Sequence, residues 1–280
     1  MQDQYAHCAA LVREADRDRY LAALFAPVAR RNALLALYAF DVEISRIRDI
    51  AREPMPGEIR LQWWREVLLG ERTGEAAAHP VAAALLRSLS AYGLKTAALV
   101  ELIETHRFDI YDEPMGRFAG LQAYAARTQG VVFEYGAEIL GGPVNTAACA
   151  DAGQARTIGN ILLQFPRHAA RRQIYVPLDM LNHYGANPDD IFTGKTTAEI
   201  RAALADLRLR ARRHLTRLGT NWDKIPERTR PVFLPLAPLR AVLLKMEKVD
   251  YDPFNPPSVA SWRRQWQMWR ATHNASRIFS

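Results

Sequence analysis

The sequence predicts an all-α protein. Apolar residues recur at intervals of three and four along most of the chain, as at Val81, Leu85 and Leu89, which is the spacing of one buried helix face. Ala, Leu, Arg and Glu, all strong helix formers, dominate these segments. Runs of alternating β-branched residues, which would indicate strands, are absent.

The predicted helices follow one another between clusters of Pro and Gly. Such breaks are predicted at 54–57, 74–80, 92–93, 113–116, 141–143 and 177–188. After Thr196 a long helix with a basic face is predicted to about Leu218, and the segment 252–257 precedes a final short helix. No repeat, linker or low-complexity stretch divides the chain, so a single domain over 1–280 is predicted.

Charge and composition limit the functional classes. The net charge of +7 favours a partner of negative sign, such as nucleic acid, an anionic membrane leaflet or an acidic protein, although a solvated Arg-rich surface explains it equally well. No zinc-finger, helix-turn-helix or RNP-type pattern is present, so no nucleic acid partner is predicted.

Cysteine usage and hydropathy predict the compartment. Cys8 and Cys149 are the two cysteines and lie far apart in sequence, which indicates a reducing environment. The N-terminus lacks the basic start and apolar run of a signal peptide. No stretch of about 18 apolar residues exists, so the protein is predicted to be cytoplasmic and not to span a membrane.

Two helical segments resemble motifs of a known family. Residues 37–49 read LYAFDVEISRIRD and residues 160–177 read NILLQFPRHAARRQIYVP. They resemble, without a gap, the patterns LYAFCRAVDDIxD and NILRDVxEDxRRGRxYLP of the squalene/phytoene synthase family. Segments 18–22, 61–66, 79–81, 102–109, 124–130 and 249–254 resemble, in the right order, the family's SFYLA, LxxWRxEL, HPV, LIDxxxxDL, YCxxVAG and GYDVF.

The resemblance implies the isoprenoid synthase fold, a single helical bundle around a central cavity. In active members, two carboxylate clusters face each other across that cavity. They hold Mg²⁺ ions, which bind a prenyl diphosphate and draw off its diphosphate as a leaving group.

Nearly all of these carboxylates are missing here. The family's DDIxD reads SRIRD at 45–49, and its DVxED reads QFPRH at 164–168, so each motif changes from −3 to +1 with His168 neutral. Arg46, Arg48 and Arg167 near the metal positions should repel Mg²⁺. We therefore expect no metal, no cofactor and no catalytic residue, and we expect Pro166 to remove a backbone donor inside the second helical motif.

Several motif positions remain candidate site residues. The degenerate positions lining the presumed cavity are Asp41, Ser45, Arg46, Asp49, Gln164, Arg167 and His168. A candidate phosphate-binding set consists of Arg46, Arg48, Arg167, Arg171 and Tyr175. Helical spacing places Asp41, Ser45 and Asp49 on one face. We expect Asp41 and Asp49 to pair with Arg46, Arg48 or Arg167; a metal site rebuilt from Asp41, Asp49 and His168 is the weaker alternative.

The other histidines, His79, His106 and His214 among them, are expected to act as helix caps or core hydrogen-bonding groups.

The last helix carries a tryptophan stripe. Trp262, Trp266 and Trp269 share one helical face and are flanked by arginines. This pattern suits peripheral contact with a membrane interface, or a groove on a partner protein. The alternative, slightly favoured, is that the tryptophans dock the helix onto the bundle.

Two further segments resemble a branch of the family that has lost catalysis. Residues 25–27 (FAP) and 109–115 (DIYDEPM) resemble this branch, in which 109–115 corresponds to DLYDDPMP. Its known representative is a mitochondrial assembly factor for respiratory complex I, so the resemblance implies a helper of NADH dehydrogenase assembly. Complex I subunits or assembly proteins would be its partners, and the inner face of the membrane its location.

Two alternatives stay open. The first is an active prenyltransferase that joins two prenyl diphosphates head to head into a squalene- or phytoene-type product, with Mg²⁺ as cofactor. The second is a binding module for an isoprenoid or lipid phosphate, because arginine pairs with phosphate without any metal.

Overall fold

The computed structural model describes residues 2–51 and 53–279, with the side chains of residues 2 and 275–278 outside this description. Every regular element in these ranges is helical, which confirms the all-α prediction. The α-helices are α1 (Gln2–Ala15), α2 (Arg17–Ala23), α3 (Val28–Ser45), α4 (Ile47–Ile50), α5 (Pro54–Leu69), α6 (Thr73–Ala78), α7 (Pro80–Tyr92), α8 (Ala97–His106), α9 (Phe118–Ala125), α10 (Val131–Leu140), α11 (Thr146–Leu163), α12 (Phe165–Ala170), α13 (Leu178–His183), α14 (Pro188–Phe192), α15 (Ala198–Thr220), α16 (Ala237–Lys245) and α17 (Ser261–Phe279). Short 3₁₀ helices cover Arg107–Ile110, Trp222–Lys224 and Glu227–Leu236, and a π-helical turn covers Ala126–Gly130.

The helices form two compact units. The first contains the chain up to Tyr111 together with 131–149 and 224–235, and the second contains 112–130, 150–223 and 236 onwards. The single domain over 1–280 stays a prediction. No helix in the described ranges is long and apolar enough to cross a bilayer.

Helix α3 is the centre of the first unit. It packs against α1, α7 and α10, and its residues from Ala33 to Val42 are all buried. A helix that is apolar on all sides belongs in a core. Phe40 meets Trp64 edge-to-face with ring centroids 5.2 Å apart, a geometry that aromatic pairs favour.

Helix α15 organises the second unit. Thr197 caps its N-terminus by accepting a hydrogen bond from the Ile200 amide at 3.3 Å. Its buried stripe, which includes Leu204 and Leu207, packs against α16 and α17, while its arginines form the opposite face. The long helix predicted after Thr196 is thereby confirmed.

Three predicted breaks and the length of the last helix are wrong. Pro54 begins α5 rather than ending a helix, because a proline in the first turn has no N–H to leave unpaired. Helix α6 occupies most of the predicted loop 74–80, and α13 lies inside 177–188. The last helix is 19 residues long and contains a non-helical residue, Asn274. Packing against the rest of the protein stabilises the two short helices α6 and α13, each of six residues, which would be marginal in isolation.

Candidate functional site

The first motif does not form one continuous helix. Helix α3 ends at Ser45, and Arg46, with φ −90° and ψ −4°, separates it from α4. The Asp49 amide donates to the Arg46 carbonyl at 2.9 Å, three residues back rather than four. Asp41 and Ser45 therefore lie in one helix as predicted, whereas Asp49 lies in the next helix, α4. Asp41 is buried in the core, whereas Ser45 and Arg46 are exposed.

Asp41 pairs with an arginine that the sequence analysis did not consider. Arg19 Nη1 donates to Asp41 Oδ2 at 2.5 Å, and both side chains are at most 4% exposed. The guanidinium also lies over the Tyr38 ring, 4.8 Å from its centroid. Arg19 was not predicted as a partner of Asp41; α2 packs against α3 and brings the Arg19 guanidinium to the buried carboxylate. The pairing of Asp41 and Asp49 with Arg46, Arg48 or Arg167 stays a prediction.

Burial and neighbouring charges shift the pKa of Arg19 in opposite directions. Burial disfavours the charged guanidinium, but the carboxylates of Asp41 and Asp16 outweigh it and the pKa of Arg19 is raised. The Asp16 carboxylate is the more distant of the two, at 3.8 Å from Nε. Arg19 therefore stays charged inside the protein.

A second buried pair, His106 and Asp109, lies in the same unit. His106 Nδ1 and Asp109 Oδ2 are 2.6 Å apart, and both residues are buried. Burial alone would lower the pKa of His106, but Asp109, and more weakly Asp41, raise it above its ordinary value of 6.5. Core hydrogen bonding was the predicted role of His106 and is confirmed, as it is for His214, whose Nδ1 lies 2.7 Å from Asp151 Oδ1.

The raised pKa of His106 predicts a pH-dependent stability. A protonated His106 stabilises the folded state, and this contribution is fully present below pH 6.5 and is lost as pH rises through the higher folded pKa. We expect His106→Gln to destabilise the protein at pH 6 and to do so much less at pH 9. Urea unfolding of the wild type and of the His106→Gln variant between pH 6 and pH 9 checks this prediction. A difference in unfolding free energy that is the same at every pH would contradict the prediction.

The second motif is also interrupted. Helix α11 ends at Leu163, and Gln164 precedes α12. Pro166 lies in the first turn of α12, where a missing N–H removes no helical bond. The expectation that Pro166 removes a donor from inside a helix is therefore wrong. The His168 amide still bonds to the Gln164 carbonyl at 2.9 Å, and the exposed Arg167 donates to the Gln164 side chain at 3.2 Å.

His168 and Tyr175 meet on the inner side of this motif. Their ring centroids are 4.6 Å apart, and the Tyr175 hydroxyl accepts a hydrogen bond from the buried Gln173 amide at 2.8 Å. A cavity of about 10 Å³ lies beside them, lined also by Ile161 and Phe165. That volume holds about one water molecule, so this cavity does not accommodate a prenyl chain.

The candidate phosphate-binding residues are divided between the two units. Arg46 and Arg48 lie in the first unit, where Arg48 Nη1 donates to the Ala51 carbonyl at 3.3 Å. Arg167, Arg171 and Tyr175 lie in the second, with Arg171 half-buried at the end of α12. Arg46 and Arg48 thus come from one short segment of the first unit, and Arg167, Arg171 and Tyr175 from one short segment of the second.

Comparison with known proteins identifies the family. The sequence model described as squalene/phytoene synthase matches residues 12–270. The chain belongs to the squalene/phytoene synthase family. The fold agrees with that of solved family structures. A dehydrosqualene synthase superimposes with a TM-score of 0.84, covering 99% of this chain and 97% of its own, at 19% sequence identity. A squalene synthase from Alicyclobacillus acidocaldarius superimposes with a TM-score of 0.76, covering 91% of this chain and 96% of its own, at 22% sequence identity. The predicted isoprenoid synthase fold is thereby confirmed.

The similar curated proteins are of two kinds. Complex I assembly factor 6 of Rattus norvegicus is 26% identical over 94% of this chain and 84% of its own length, and that of Homo sapiens 27% identical over 89% and 76%. The 15-cis-phytoene synthase of Synechococcus elongatus is 24% identical over 94% and 91%. Both kinds are therefore similar to this chain along most of its length.

The buried pair occupies two positions at which the family patterns carry uncharged residues. Arg19 stands where the family's SFYLA has Phe, and Asp41 where its LYAFC has Cys. In this chain both side chains are buried and charged. A residue of opposite charge at each of these two positions is the signal from which the pair could have been predicted.

The turn after the second motif holds an arginine in a backbone conformation that favours glycine. Arg172 occupies the Gly position of the family's RRGR and has a left-handed φ of 57°. Its guanidinium stacks over Phe192 at 4.5 Å. In this chain the glycine of the family pattern would thus suit the backbone angle that Arg172 adopts.

The side chains at the two motifs do not fit the family's Mg²⁺ ions. Mg²⁺ takes oxygen ligands in octahedral geometry, usually including carboxylates. Besides Asp41, the first motif offers Glu43, Ser45 and Asp49, with two arginines beside them, and the second offers no carboxylate. Asp41 is already bound by Arg19. No group of three or more potential metal-ligating His, Cys, Asp or Glu side chains occurs in the part of the chain that the structure describes.

Proposed function

We propose that this chain is a non-catalytic member of the squalene/phytoene synthase family that assists the assembly of respiratory complex I. The observation that carries the proposal is the similarity to complex I assembly factor 6, at 26–27% identity over 89–94% of the chain in the rat and human proteins. The partners would be complex I subunits or other assembly proteins, met at the inner face of the membrane. Nucleic acid is not among them.

The charges at the motifs support the loss of catalysis. Ionisation of a prenyl diphosphate needs cations to stabilise the departing diphosphate, and each lost electrostatic contact of this kind costs on the order of a hundredfold to a thousandfold in rate. Ser45 and Arg46 replace two aspartates of the first motif, while Gln164, Arg167 and His168 replace all three acids of the second. Substitutions on this scale are incompatible with Mg²⁺-dependent turnover at a useful rate.

Deletion of the gene in a host that has complex I tests the assembly role. We expect assembled complex I, measured by native gel electrophoresis and NADH oxidation, to fall severalfold and to recover with the wild-type gene. A variant with Ser45→Asp and Arg46→Asp should rescue equally well if the first motif has no chemical role. Unchanged complex I in the deletion strain would contradict the proposal.

The prenyltransferase alternative has its own test. Purified protein is incubated with farnesyl or geranylgeranyl diphosphate and Mg²⁺, and a phytoene synthase serves as the positive control. We expect no squalene- or phytoene-type product. Metal-dependent turnover would establish an active enzyme with unexpected ligands.

A phosphate-binding role is favoured by one observation, the concentration of arginines in the two motifs. The exposed Arg46 and Arg167 and the half-buried Arg48 and Arg171 offer guanidinium groups, which pair with phosphate without a metal. Calorimetric titration with a non-hydrolysable farnesyl diphosphate analogue, with and without Mg²⁺, distinguishes a phosphate-binding module from a protein without a binding site. Binding without Mg²⁺ that is lost in Arg46→Gln and Arg171→Gln would support the binding module, and no binding would exclude it.

A further inference from the structure

Helix α17 has two chemically different faces. Met268 and Ala271 are fully buried where the helix packs against α15 and α16. Trp262, Trp266 and Trp269 are instead 64%, 49% and 53% exposed. The hypothesis that the tryptophans dock the helix onto the bundle is therefore wrong, since the smaller Met268 and Ala271 do so.

Cationic side chains share the surface of these tryptophans. The guanidinium of Arg263 lies 5.1 Å from the Trp262 ring centroid, and that of Arg270 lies 4.6 Å from the Trp266 centroid. From Ser261 to Phe279 the sequence contains no Asp or Glu. The outward face of α17 thus combines large amphipathic rings with positive charge only. We call this set of Trp262, Trp266, Trp269, Arg263 and Arg270 the Trp/Arg face.

We infer that the Trp/Arg face docks on the surface of an anionic lipid bilayer. Tryptophan rings are favoured at the level of lipid headgroups, where one part of the ring is in an apolar and the other in a wet environment. Arginines beside them are attracted by anionic headgroups. A net charge of +7 adds a longer-range attraction of the same sign.

The packing of α17 limits how deeply it can enter a bilayer. The face that bears Met268 and Ala271 is held against α15 and α16, so the helix cannot submerge without leaving its unit. Only the exposed rings and their neighbouring arginines reach the headgroup region. The contact is therefore peripheral, reversible and sensitive to salt. It adds to the proposed membrane location the surface that makes the contact, and it does not depend on the proposed role in complex I assembly.

Vesicle binding of the full-length protein tests the inference. The probes are vesicles of phosphatidylcholine alone and vesicles that also contain phosphatidylglycerol, in a co-sedimentation assay. We expect strong binding only with phosphatidylglycerol, and weakening as salt is raised. Trp262→Gln, Trp266→Gln and Trp269→Gln together should lower the partition coefficient at least about tenfold. Arg263→Gln with Arg270→Gln should lower it by roughly fivefold per arginine.

A matched control variant distinguishes binding through the Trp/Arg face from nonspecific binding through any exposed apolar side chain. Met55 and Ile59 are 73% and 64% exposed on α5, so Met55→Gln with Ile59→Gln removes exposed apolar side chains from another surface and should leave binding unchanged. Brominated lipids report contact directly. They should quench the tryptophan fluorescence of the wild type. They should leave that of the triple tryptophan variant unchanged, because its remaining tryptophans at 63, 64 and 222 are buried or half-buried.

Two results would overturn the inference. The first is wild-type protein that binds neither kind of vesicle, and the second is binding that the triple tryptophan variant retains in full. If the first result comes with a triple variant that fails to restore complex I, the Trp/Arg face is assigned to a protein partner instead. Circular dichroism confirms that each variant is folded before binding is compared.

Discussion

Asp41→Cys is expected to lower the free energy of unfolding by about 3–5 kcal/mol, because it takes the nearest carboxylate from the buried guanidinium of Arg19. Arg19→Phe is expected to cost a similar amount, since it leaves Asp41 buried without its arginine. The Arg19 and Asp41 side chains are only 3% and 4% exposed, so water cannot replace the missing partner. Each substitution restores the residue of the family pattern, and each alone should be harmful.

The double variant distinguishes an ion pair from two independent residues. With Arg19→Phe and Asp41→Cys together, both charges leave the core and apolar groups fill it, a replacement that is often neutral or stabilising. We expect the double variant to recover most of the lost stability, which gives a coupling energy of several kcal/mol in a double-mutant cycle. Urea unfolding followed by circular dichroism provides all four free energies. Additive losses would show that the two residues do not act as a pair.

An exposed ion pair supplies the control. Arg107 Nη2 lies 2.6 Å from Glu58 Oε2, but the arginine side chain is 49% exposed. Arg107→Ala should therefore change stability by less than about 1 kcal/mol, as surface pairs generally do. Arg107 also contacts Glu104 Oε2 at 3.1 Å, so a small effect despite more contacts would point to burial as the reason why the Arg19–Asp41 pair matters more.

Gly153→Ala is the second substitution with a large expected effect. A Cβ at Gly153 would lie 2.7 Å from the Gly130 amide nitrogen and 2.9 Å from its Cα. These are backbone atoms at the end of the π-helical turn Ala126–Gly130, and they cannot rotate away as a side chain would. We expect a loss of about 2–4 kcal/mol, measured by thermal or urea unfolding.

The matched control for this substitution is Gly74→Ala. Gly74 lies in α6, where an added Cβ would have nothing within 4 Å, and its φ is not left-handed. The same chemical change should there be neutral or stabilise the protein by up to about 1 kcal/mol, because alanine favours helix. Equal effects at Gly74 and Gly153 would show that the close approach of α11 to the π-helical turn is not what makes Gly153 sensitive.

Local sequence predicted the features that depend on neighbours along the chain. The helix after Thr196 was found because its buried stripe and its cap, Thr197, lie within one continuous segment. His79 was expected to cap or to bond in the core, and its Nδ1 accepts the Ala82 amide at 3.3 Å. The interruption at Arg46 was missed, because no proline or glycine stands there to mark a break. The interruption at Gln164 does have such a marker, Pro166 in the first turn of α12.

The contact of Asp41 with Arg19 was not predicted from the sequence of the first motif. Asp41 was assigned to arginines close in sequence or in the other motif, but its partner, Arg19, lies 22 residues away on α2. Such a pairing follows from how α2 packs on α3. Helical periodicity indicates which residues share a face within one helix, and it carries no information on which helix lies opposite.

The sequence by itself determined the helical class, the family and the loss of the metal-binding carboxylates, because each depends on residue identity or spacing along the chain. Only the tertiary structure decided that Arg19 neutralises Asp41 and that the Trp/Arg face of α17 is turned outward. Trp262 and Met268 are both apolar and lie six residues apart, yet one is 64% exposed and the other fully buried. The difference arises because the surfaces of α15 and α16 accept one face of the helix and leave the other to the solvent.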